Sequence, residues 1–130
     1  ARRAAKTGGG VRILALVPPA EFVQWGGVQA TMEDEARLRA EALVTGAAGT
    51  LMQESGVRPT FTVQSGDPIA VIRKIIEEDN SLAALVLGAA SSGHPGPLVS
   101  HFAGAEAGKL RCPIMIIPGS LSREAIDELS

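Results

Sequence analysis

Apolar and polar positions fall in blocks along this chain, and the blocks change period. VRILALV (11–17), LAALVLG (82–88) and CPIMIIP (112–118) are short apolar runs. Runs of that length predict strands buried on both faces. PTFTVQS (59–65) sets Phe61 and Val63 against Thr60, Thr62 and Gln64, a strand with one wetter face. Between the strands the period lengthens. Over 31–55, Met32, Ala36, Ala40, Leu43, Ala47 and Leu51 follow at steps of three and four, which predicts an amphipathic helix. Thr31 and Asp34 predict a capping box at its start, and Glu33, Asp34 and Glu35 suit its positive end. Gly46 and Gly49 each weaken that helix by about 1 kcal/mol relative to Ala, and Gly56 predicts its stop. Gly66, Asp67 and Pro68 turn into a second helix, with Asp67 as cap, Pro68 at the first position and Ile69, Ile72 and Ile76 on one side. A third helix is predicted over 98–110, with Gly104 and Gly108 on one face lying close to the sheet, and a short last one over 122–129. ARRAAKTGGG (1–10) reads as a helix end capped by Gly8. PPAEFVQWGG (18–27) reads as an irregular loop in which Trp25 either lids the core or marks a contact surface.

Helix and strand therefore alternate four times. Alternation of this kind predicts an α/β fold, a mostly parallel sheet with helices on both faces and right-handed crossovers. The length of 130 residues suits one domain over 1–130. Composition narrows the core: there are three Phe, one Trp and no Tyr, so the interior is built from Ala, Val, Leu and Ile. Net charge is −2, and nothing global points to nucleic acid. Arg2, Arg3, Lys6 and Arg12 read either as a basic arm or as the solvated end of a helix, where cations suit the dipole. Cys112 is the lone cysteine. It excludes an internal disulfide, fits a reducing compartment, and opens a strand where Cys acts as a small hydrophobe. No apolar run approaches the roughly 20 residues that cross a membrane.

The stretch LGAASSGHPGPLVSHFAG (87–104) is where chemistry is expected first. A strand, a Gly-rich loop and a helix is a common phosphate cradle, because free N–H groups at a helix start favour an anion. Ser91 and Ser92 add hydroxyl donors. No Lys follows the glycines and GxGxxG is absent, so the loop is neither a P-loop nor a dinucleotide fingerprint. The plain reading is a strand-to-helix turn whose dihedrals need Gly. His94 and His101 are the two histidines. Pro95 and Pro97 prevent one helix from presenting both, and no Cys or carboxylate stands at zinc spacing. His94 with Ser91 or Ser92 could form a Ser–His pair for a small hydrolase, without a G-x-S-x-G elbow or an orienting acid.

The ordered set LALVPPAEF, SGDP (65–68) and LVLGAA…GHPGPLVSHFAG…RCPIMIIP resembles the universal stress protein (UspA-like) family across nearly the whole chain. The resemblance implies a Rossmann-like, adenine nucleotide hydrolase-like sheet of strand order 3-2-1-4-5. It also implies a cytoplasmic, non-catalytic homodimer acting in stress response. One branch of the family binds ATP through Gly, two residues, Gly, nine residues, then Gly with Ser or Thr; another branch does not. Gly88, Ser91, Ser92, Gly93, Gly96 and Gly104 are the candidates for an adenine nucleotide, although no register of that spacing fits them. Gly93 and Gly96 have the first spacing, but Glu106 stands where the next glycine is due, and counting back from Gly104 meets His94 and Ser91.

The family opens on a strand, whereas this chain opens on a helix and on Ala1. The expectation is that the first, central strand is missing from this sequence, leaving a slot between 11–17 and 82–87. The last strand carries Ile114, Met115, Ile116 and Ile117 unbroken, with no Lys or Glu to discourage pairing. It is expected to be an outer strand that pairs with its own copy, the seam that the resemblance also implies.

Overall fold

The computed structural model describes residues 1–17 and 26–130, with side chains described for 1–17 and 32–130. The loop expected over 18–27, Trp25 included, lies outside them except for Gly26 and Gly27, which open a helix. The chain divides into two compact units, Ala1–Asp67 and Pro68–Ser130. The architecture is mixed α/β, and its described strands form two parallel two-stranded sheets. Among the described residues no helix is long and apolar enough to cross a membrane.

The first unit holds α1 (Arg2–Thr7), β1 (Arg12–Val17), α2 (Gly26–Ser55) and β2 (Thr60–Ser65). Gly8 ends α1 in the left-handed region at φ 72°, its N–H on the Ala4 carbonyl, as the position of the glycine predicts. β1 pairs with β2 from Arg12 opposite Thr60 to Val17 opposite Ser65. The Arg12 guanidinium reaches across this ladder to the Thr62 hydroxyl at 3.2 Å, and Arg37 of α2 donates to the Ser65 hydroxyl at 2.9 Å. α2 starts at Gly26 rather than at Thr31, so the expected capping box lies inside the helix. Once a helix is nucleated, each further residue adds a hydrogen bond, and a glycine costs it only about 1 kcal/mol.

The buried face of α2 is also turned by one position from the expected stripe. Ala40 and Val44 are buried, with Ala36, Ala48 and Leu51 half-buried on the same side. Leu43 is 75% exposed, and Met32 is exposed too. Both rows satisfy steps of three and four, so periodicity leaves the rotation open and packing on β1 decides it.

The second unit holds α3 (Pro68–Glu78), β3 (Leu85–Ala89), α4 (Pro97–Phe102), β4 (Ile114–Pro118) and α5 (Arg123–Leu129). β3 and β4 run parallel, from Leu85 opposite Ile114 to Ala89 opposite Pro118. Ile72, Ile76, Leu87, Val99, Phe102 and Cys112 are its buried side chains. β3 begins later than expected, because Asp79 accepts the Ser81 N–H at 3.0 Å and the Ser81 hydroxyl at 2.5 Å. That Asx-type turn takes 79–82 out of extended conformation. Arg111 ties the approach to β4 to the end of α3, donating to the Glu77 carbonyl at 3.0 Å and to the Asn80 side chain. Ser122 caps α5 by accepting the Ala125 N–H at 3.1 Å.

The third predicted helix is shorter than its pattern. α4 stops at Phe102, and 103–109 are turns. Gly104 therefore does not lie on a helix face against the sheet, and Gly108 has open space around it. Gly104 is needed for another reason: a Cβ there would stand 2.6 Å from the Ser100 carbonyl oxygen. The run AGAEAG loses more backbone freedom per residue on ordering than the apolar turn before it, and the helix ends where that run begins.

Candidate functional site

The loop 90–96 leaves β3 and closes on itself through a 3.0 Å hydrogen bond from the Ala90 N–H to the Pro95 carbonyl. Gly93 has φ 70° and Gly96 has φ 113°. Gly96 is the N-cap of α4 and Pro97 its first residue; side chains other than glycine's rarely adopt such a cap conformation, and Pro suits the position after it. The loop is thus a strand-to-helix turn that needs its glycines. Beside it lies an open hollow of about 270 Å³, lined by Val86, Leu87, Gly88 and the run 95–99.

Of the candidate nucleotide residues, Gly88 and Gly96 line this hollow together. Ser91, Ser92, Gly93 and Gly104 are not among its lining residues. Ser91, Ser92 and His94 are exposed. The walls are apolar side chains, Val86 among them at 59% exposed, and the polar groups on offer are backbone ones. Gly119, which does not line the hollow, lies against the end of β3 and the start of the loop and escaped the sequence reading. Its N–H donates to the Ala89 carbonyl at 2.8 Å. A Cβ on it would meet that oxygen at 2.6 Å and the Ser91 nitrogen at 3.1 Å. The signal for it in the sequence is the Pro118–Gly119 pair directly after an apolar run.

Charged chemistry gathers elsewhere in this unit. Arg73 of α3 donates to Glu106 Oε1. Glu106 Oε2 lies 3.2 Å from His101 Nε2 of α4. Those last two atoms are buried and sit at ion-pair distance without hydrogen-bond alignment. The His101 ring also meets Phe102 edge to face, with centroids 5.1 Å apart. The hydrogen bond from Arg73 holds the Glu106 carboxyl below its ordinary value of 4.5; desolvation opposes this, and the charge of Arg73 and the contact with His101 add to it. An acid does face a histidine here, but the histidine is His101 and not His94. The meeting of Arg73, His101 and Glu106 is not legible in the sequence, where Glu106 stands only in the place of a due glycine and falls within a predicted helix. Only its break at Phe102 lets 103–109 turn back towards α3.

Among the described residues no three His, Cys, Asp or Glu side chains gather to hold a metal. In the candidate seam, Ile114, Met115 and Ile117 are half-buried and Ile116 is 38% exposed. β4 pairs with β3, and among the described residues the sheet has those two strands. Compared with known proteins, the chain matches no family model, no curated protein and no solved structure.

Proposed function

We propose that this chain is a universal stress protein-like domain, a non-catalytic cytoplasmic module that acts as a homodimer in stress response. The observation that carries the reading is the pairing of strands. β1 lies parallel to β2 and β3 parallel to β4, each pair joined through a helix. Those are the 3-2 and 4-5 neighbours of the family's order. The dimer is assigned to β4, whose run Ile114, Met115, Ile116 and Ile117 is an apolar edge free of charge. Pairing with its copy across a two-fold axis closes that edge. Light scattering at micromolar concentration tests this directly: a wild-type dimer and a dissociated or aggregated Met115→Lys variant are expected. A monomeric wild type removes the dimer.

A second reading, a sensor of ATP or another adenine nucleotide, is favoured by the hollow that Gly88 and Gly96 line. Its apolar walls and the absence of a following Lys weigh against a triphosphate. Thermal unfolding with and without Mg-ATP separates the two readings, since ligand at 100 times its Kd stabilises by about 2.7 kcal/mol. No shift is expected for the non-binding module. A small hydrolase would need activity lost in His94→Ala, and His94 is exposed on the loop.

A further inference from the structure

Arg73 of α3 and His101 of α4 converge on one carboxylate, and that carboxylate is poorly seated. Arg73 donates to Glu106 Oε1. The other oxygen, Oε2, lies 3.2 Å from His101 Nε2, yet both of these atoms are buried without a hydrogen-bond partner. Burying polar atoms unpaired is costly, so a better-aligned carboxylate would be preferred at this place. The surroundings favour an anion all the same: the hydrogen bond from Arg73, above all, holds the Glu106 carboxyl below its ordinary value against desolvation. The turn that carries Glu106 is weakly tied. Its other residues are Ala103, Gly104, Ala105, Ala107, Gly108 and Lys109, and short of Lys109 they bring nothing larger than a methyl group to anchor it. Among the described residues the backbone hydrogen bonds made by 103–109 reach no further back than Val99, and the one from the Glu106 N–H to the His101 carbonyl is long at 3.5 Å.

We propose that Arg73 and His101 form a binding site for a small free carboxylate, which the side chain of Glu106 closes in the unliganded chain. A free carboxylate is not tethered to a turn. It can rotate until one oxygen meets the guanidinium and the other meets the Nε2–H of His101, a pairing that Glu106 makes only by half. The planar guanidinium suits a planar carboxylate, and a histidine with its proton on Nε2 donates whether it is neutral or charged. Binding displaces Glu106 and releases the turn 103–109, which leads into β4. Because Glu106 must leave first, the apparent affinity falls by the fraction of time the site stands open. The intact chain therefore binds weakly, and a chain without the Glu106 side chain binds more tightly. The site shares no residue with the hollow at Gly88 and Gly96, so it stands apart from the nucleotide reading.

Sodium acetate is the probe, with sodium chloride at equal ionic strength as the control, and the full chain at neutral pH is the sample. Ring signals of the two histidines in nuclear magnetic resonance give the readout. In Glu106→Ala, acetate is expected to shift the His101 signals saturably and to leave those of His94 in place. Half-saturation in the wild type should come at a concentration at least about tenfold higher, because Glu106 competes. Acetate should also restore the unfolding midpoint lost in Glu106→Ala, beyond any rise that it gives the wild type. Adding Arg73→Gln to Glu106→Ala should abolish both responses. Glu106→Ser replaces Glu106→Ala if the latter does not fold, with the same outcomes expected. Equal half-saturation in wild type and variant, His94 moving together with His101, a response that survives Arg73→Gln, or no excess rescue by acetate would each overturn the proposal. Sodium phosphate acting as well as acetate would overturn the assignment to a carboxylate.

Discussion

The two strand–helix–strand stretches of this protein follow one plan and are held by different means. Between β1 and β2 runs α2, a helix of 30 residues, which presents Ala40 and Val44 to the interior. Between β3 and β4 runs α4, a helix of 6 residues, followed by irregular turns. A long helix carries its own connection, because each residue after nucleation adds a backbone hydrogen bond. A short one cannot, and its stretch needs other ties. Phe102 is fully buried at the end of α4, Arg73 and His101 hold Glu106 in the turn that follows, and Arg111 closes onto the end of α3. The difference teaches that where local structure is weak, a single large side chain and a few charges fix the path of the chain.

The comparison breaks most readily at Phe102. Phe102→Ala removes the ring and leaves a cavity, and a loss of about 3–5 kcal/mol is expected in denaturant unfolding. A loss as small as that of an exposed substitution would mean that α4 is not anchored by this ring. Next comes Gly104→Val, expected to lose about 1–3 kcal/mol because its side chain would collide with the Ser100 carbonyl. Gly108→Ala is the control, with open space and a change within about 0.5 kcal/mol. In the other stretch Val44→Ala deletes two buried methyl groups, worth about 1.5 kcal/mol in all. A larger loss there than at Phe102 would reverse the ranking of the two stretches.

The smallest effect sharpens the comparison through pH. The Glu106 carboxyl is lowered in the folded chain. Its contribution is therefore fully present above the ordinary carboxylate value and is lost as pH falls through the lowered folded value. Glu106→Gln should reduce the midpoint at neutral pH and flatten its acid dependence below about 4.5, with no such change from Glu33→Gln on α2. Parallel acid profiles for wild type and Glu106→Gln would show that Arg73 and His101 do not draw on this carboxylate.

Much of the fold was legible in residues. The apolar runs at 11–17, 82–88 and 112–118 marked β1, β3 and β4, and Gly8, Gly56 and Pro68 marked helix ends, because glycine and proline act through local backbone sterics. The glycines of 93 and 96 could likewise be read as a strand-to-helix turn. Less was legible at the site. Gly119 matters through a loop from another part of the chain, and Glu106 was hidden inside a helical pattern.

By itself the sequence determined what depends on neighbours along the chain: the kinds of element, their order, and most of the stops. Tertiary structure alone decided which side of α2 faces β1, since two rows of apolar residues satisfy the same period and only contact with the sheet distinguishes them. It also decided that the helix after Pro97 ends at Phe102, that Gly104 and Gly119 answer to carbonyl oxygens rather than to a helix face, and that Arg73, His101 and Glu106 meet. Contacts between residues far apart in the sequence leave no periodic trace in it. They exist only once burial of the apolar faces has brought the elements together.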